Sequence, residues 1–96
     1  MLSYYVLYRA DDKAHPAGLF IVGPATGDAI LWDHRKGAWV YNPDLVIRFL
    51  DDHQNFDRYQ QVERSQAELV AARIGGGIDL PDPASVEMIF ASRGDR

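Results

Sequence analysis

Ninety-six residues, 47% of them hydrophobic and none cysteine, describe one small domain whose core must form without disulfides, thiolate metal sites or a cysteine nucleophile. Fourteen acids against ten bases leave a net charge of -4. Residues 49–96 carry that whole deficit, and no basic stripe of the kind that neutralises nucleic-acid phosphates is present.

The longest run of large apolar side chains is Leu19 to Val22, too short to span a membrane. Arg9, Asp11 and Asp12 stand where a secretory signal would be apolar, so a cytoplasmic chain is expected. Neither nucleic acid nor membrane is expected as a partner. The densest basic stretch, His34-Arg35-Lys36, reads as a solvated turn.

The first half predicts strands. Ser3–Arg9 is aromatic and β-branched, with Tyr4, Val6 and Tyr8 on one face and Tyr5 and Leu7 on the other. Apolar residues on both faces predict a central strand. Residues 10–17 read as a polar loop carrying Pro16, and residues 18–23 as a second strand bounded by glycines. Residues 24–27 (PATG) predict a tight turn, residues 29–33 a third strand and residues 34–37 a hairpin turn with Gly37 left-handed. Residues 38–41 are the fourth strand of an antiparallel meander.

Helical signals then take over. Asn42, Pro43 and Asp44 supply a cap, a first-position proline and a first-turn acid for a helix over 43–52. A loop follows, with Phe56 expected beneath the sheet, and then a short strand over 59–63. Ser65 and Glu68 have the spacing of a capping box, ahead of an apolar stripe of Ala67, Val70, Ala71 and Ile74 that Gly75 ends.

Gly75-Gly76-Gly77 reads as a hinge. Beyond it, Asp82-Pro83 opens a third helix over 83–92 with Val86, Ile89 and Phe90 as its stripe, and the last four residues are expected to fray. The chain thus divides into a strand-rich part (1–42), a helix–strand–helix part (43–74), a glycine hinge (75–77) and a C-terminal extended segment with a short helix (78–92). The expected fold is α+β: a four- or five-stranded, mainly antiparallel sheet with two to three helices on one face.

Catalytic patterns are sparse. No serine has the flanking glycines of a nucleophile elbow, and the triple glycine ends a helix without the Lys-Ser/Thr of a phosphate loop. His15, His34 and His53 are the only imidazoles, and their spacing fits no metal-ligand rule. They are the candidate ligand positions if three loops converge. Asp11-Asp12 and Asp51-Asp52 are paired carboxylates of the kind that solvate a surface. No cofactor is expected.

The aromatic residues carry more information. Trp32 and Trp39 flank the turn at spacing that lets them meet across a hairpin, and Tyr41 follows on the face of Trp39. Met88 and Phe90 lie on the last helix. These five are the partner-contact candidates, because Trp and Tyr anchor interfaces and Met adapts to them.

The pattern Trp32-Asp33 with Gly37-Ala38-Trp39-Val40 and Pro43-Asp44 resembles small uncharacterised actinobacterial proteins in which a tryptophan hairpin leads into a helix. Val62-Glu63-Arg64 and Leu80-Pro81-Asp82 are similar to the same group. The resemblance implies an architecture and no activity. Leu31-Trp32 is also similar to part of the Leu-Trp-Pro motif of MbtH-like proteins. Asp33 stands in place of the proline and the other signature segments are missing, so no function is carried over.

The residues favour a non-catalytic interaction module, acting on a protein partner or through homodimerisation. One form is a toxin-neutralising or enzyme-regulating partner, for which the acidic second half predicts a basic target. The competing class is a small hydrolase or metal-dependent enzyme using the loop histidines with nearby aspartates.

Overall fold

Alternating apolar residues on both faces of the first strands require cover on both sides of a sheet. The computed structural model describes residues 1–9, 11–74 and 77–94. Five strands, β1 (Ser3–Arg9), β2 (Asp12–Gly23), β3 (Asp28–Asp33), β4 (Ala38–Tyr41) and β5 (Tyr59–Val62), form one antiparallel sheet in the order β4-β3-β2-β1-β5. The helices are α1 (Pro43–Asp51), α2 (Arg64–Ala71) and α3 (Pro83–Gly94), with a 3₁₀ turn at His53–Asn55. The class is α+β, as the sequence predicts. Among the described residues no helix is long and apolar enough to cross a membrane.

The helices divide between the two faces, which corrects the expectation that all pack on one. Tyr4, Val6, Leu19, Ile21 and Ile30 form one core with Ala67, Val70 and Ala71 of α2 and Val86 and Phe90 of α3. Phe20, Val22 and Ala29 form a second core with Val46 of α1 on the opposite face. The physical reason is that β2 and β3 carry apolar residues on both faces, Leu19, Ile21 and Ile30 on one and Phe20, Val22 and Ala29 on the other, so each face needs its own helix layer.

Three further expectations are revised. The stretch read as a loop before residue 18 belongs to β2 from Asp12 onward, paired with β1 through Tyr8 opposite Pro16 and Arg9 opposite Asp12. Register shifts on either side of Tyr8 mark a bulge, which lets a proline sit in this ladder. The capping box does not form. β5 runs to Val62, so α2 begins at Arg64 with Glu63 as its cap residue and no side-chain cap bond. Glu68 pairs instead with Arg64 at 3.2 Å, one helical turn back. Phe56 is 55% exposed, not beneath the sheet, and its ring meets His53 and Tyr59 edge-on.

The C-terminal segment packs on the chain's own sheet. The Ile78 amide donates to the Ala71 carbonyl at 2.7 Å, Ile78 is buried, and Val86 and Phe90 follow it into the core. Gly75 and Gly76 of the expected hinge, and Asp95 and Arg96 of the expected frayed end, lie outside the described residues.

Candidate functional site

The β3–β4 hairpin is fixed by its turn. Asp33 Oδ1 accepts from the amides of Arg35 at 2.9 Å and Lys36 at 3.2 Å, while the Gly37 amide donates to the Asp33 carbonyl at 2.8 Å. Gly37 has φ +61, which a side chain would disfavour. This turn sets the register that places Trp32 directly opposite Trp39, with ring centroids 5.8 Å apart at 68°. The tryptophans meet as the alternation predicts, and both are half-buried against the α2–α3 core.

Each aromatic is then tied to a distant segment. Trp39 Nε1–H donates to the Asp79 carbonyl at 3.0 Å, fastening the extended stretch ahead of α3. The Tyr41 hydroxyl donates to the Asp28 carboxylate, whose second oxygen accepts from the Thr26 hydroxyl at 2.7 Å. The Tyr41 ring meets Phe90 at 6.4 Å.

Between β4 and α3 these contacts leave a groove of about 360 Å³, lined by Trp39, Tyr41, Met88, Ile89 and Ser92. Met88 is 71% exposed at its rim. β4 is an outer strand of the sheet, so among the described residues no strand pairs with its far side. Its four residues, Ala-Trp-Val-Tyr, include neither a charge nor a proline, the usual protections of an edge.

Of the five contact candidates, Trp39, Tyr41 and Met88 come together at this groove. Trp32 lies beside Trp39 across the hairpin and also meets the His34 ring edge-on at 6.4 Å. Phe90 is corrected to a core residue: it is 6% exposed and packed against Gly23 and Tyr41.

The three histidines do not gather. His15 Nδ1 bonds the Asp12 carboxylate at 3.0 Å, and this side-chain bond holds the Asp12 carboxyl below the usual aspartate range. His34 Nε2 donates to the Ala17 carbonyl at 2.8 Å. His53 sits in the 3₁₀ turn against Phe56. Among the described residues no three His, Asp or Glu side chains are grouped to hold a metal ion.

Comparison with known protein families, curated proteins and solved structures gave no match. The site therefore rests on its own geometry.

Sequence reasoning missed Asp28 and Asp79, and read Ile89 only as part of the α3 apolar stripe. Asp28 had a local signal, because Thr26-Gly27-Asp28 is a turn whose hydroxyl and carboxylate face each other. Asp79 had none, since it meets Trp39 across 40 residues of chain.

Proposed function

We propose that this chain is a non-catalytic protein-interaction module that receives an extended partner segment along the outer edge of β4. Residues of that segment fill the groove between β4 and α3. The observation that carries the reading is an exposed methionine beside two half-buried aromatics on an uncharged, open strand edge. Strand addition of this kind draws affinity from main-chain hydrogen bonds and specificity from side-chain pockets next to the edge. Lys36 and Pro43 flank β4 and keep the open edge short, which suits selective binding better than indiscriminate sheet growth. Self-association through the same edge would make a homodimer. The hydrolase alternative draws less support, because each histidine is engaged at a separate place.

The test is affinity capture with the full chain, compared between the wild type, Met88→Asp and a control, Leu69→Asp, on the exposed side of α2. Sedimentation of each variant reports self-association. A partner or dimer kept by Leu69→Asp and lost by Met88→Asp is the expected result. A partner kept by both variants, or a monomer recovered alone from the wild type, overturns the assignment.

A further inference from the structure

Beneath the α1-side core, one end of the sheet carries a depression that the interaction reading does not use. Strand alternation places Gly18 on the same face of β2 as Phe20 and Val22, opposite Leu7 of β1 in the register. A Cβ built at Gly18 would meet only the Leu7 Cβ, at 3.8 Å, and its φ is not left-handed. Neither crowding nor backbone conformation calls for glycine there, although glycine inside a strand weakens it.

The missing side chain opens a pocket of about 200 Å³, with Leu7, Phe20 and Leu31 as apolar lining and Arg9, His34 and Arg58 as its polar lining. In a chain of net charge -4, no Asp or Glu lines this pocket. Arg9 pairs with Asp11 at 3.4 Å, with both side chains well exposed. Asp33 commits an oxygen to the turn amides. Arg58 lies over the Phe49 ring and reaches Asn55 Oδ1 at 3.4 Å, yet its Nε is buried with no hydrogen-bond partner. Two arginines lining a depression with an apolar floor and no lining carboxylate match a planar anion carrying an apolar body.

We infer that this pocket binds a small carboxylic acid, its carboxylate held by Arg58 and Arg9 and its apolar body resting on Leu7, Phe20 and Leu31 over Gly18. Liquid water occupies about 30 Å³ per molecule, so the volume suits an acid of the size of benzoate. The site is independent of the β4 groove.

The test is an amide NMR titration of the full chain with benzoate. Benzyl alcohol supplies the ring without the charge, and inorganic phosphate the charge without the ring. Saturable benzoate shifts at residues 7–9, 17–20, 31–34 and 58 are expected, with both controls at least tenfold weaker. Gly18→Val fills the depression and should weaken benzoate at least tenfold while keeping a folded spectrum. Arg58→Gln should do the same, and Arg9→Gln takes its place if that variant unfolds. No saturable benzoate shift, equal binding of the alcohol, phosphate binding alone, or unchanged affinity in Gly18→Val overturns the assignment.

Discussion

Two glycines of β2 illustrate how one hydrogen atom acts differently by position. At Gly23 a Cβ would lie 3.0 Å from Phe90 Cε2 and 3.2 Å from the Thr26 hydroxyl. Phe90 is a buried ring held against Tyr41 and Gly23 of the sheet, so it has little room to yield. Gly23→Ala should therefore lower stability by about 1–3 kcal/mol, the usual cost of overpacking. At Gly18 the same substitution meets no contact closer than 3.8 Å. Gly18→Ala should raise stability by about 0.4–1 kcal/mol, because it restricts the unfolded chain at no steric cost. Urea denaturation of both variants checks the pair, and equal signs would contradict the packing around Phe90. Neither effect was legible in the sequence, where both residues read simply as the bounds of a strand. The partner that decides Gly23 comes from 67 residues further along the chain.

At the scale of elements, local chemistry was readable wherever the deciding contacts are local. β1 and β4 have the bounds that alternation predicts, and α1 begins at Pro43 because the Asn42 side chain accepts from the Leu45 amide at 3.2 Å. The bulged start of β2 was hidden by polar residues and Pro16, since only pairing with β1 makes them a strand. Which face each helix covers was equally hidden: periodicity shows that a face is apolar and not what lies on it. The hairpin half of the candidate site was legible from alternation. Of its α3 half, Met88 was named together with the buried Phe90, because the low polarity of Met88, Ile89 and Phe90 does not say which of them faces out.

The start of α3 yields a pH prediction. Asp82 accepts from the Ser85 amide at 3.2 Å, and the Ser85 hydroxyl and then that amide hold its carboxyl below the ordinary value of 3.8. A carboxyl depressed in the folded state stabilises it above the unfolded value, and that contribution is lost as pH falls through the folded value. Acidification from about pH 5 to about pH 2 should therefore lower hydrogen-exchange protection, measured relative to the intrinsic amide rate at each pH, at the first turn of α3 ahead of the rest of the helix. In Asp82→Asn the amide still caps but does not titrate in this range, so the local acid step should vanish. An unchanged acid response in that variant would remove Asp82 from the account.

For the whole molecule, the question is whether two cores on opposite faces of one sheet unfold together. Val46 in the α1 core and Val86 in the α2–α3 core are both fully buried. The central strands join the two cores residue by residue, with Leu19 and Ile21 on one face and Phe20 and Val22 on the other. Losing either helix layer strips half of the side chains that hold β2 flat against its neighbours. Val46→Ala and Val86→Ala should each lower stability by about 1.5–3 kcal/mol, from lost burial and the cavity left behind. Trp32 and Trp39 lie on the Val86 side of the sheet, so tryptophan fluorescence reports one face and far-ultraviolet circular dichroism reports both. If the sheet couples the cores, the fluorescence and dichroism transitions should coincide in each variant, even for Val46→Ala on the far face. A fluorescence transition that precedes the dichroism transition only in Val86→Ala would show that the α3 layer comes away first. The β4 groove would then open with it, because Met88 and Ile89 form one wall and Trp39 and Tyr41 the other.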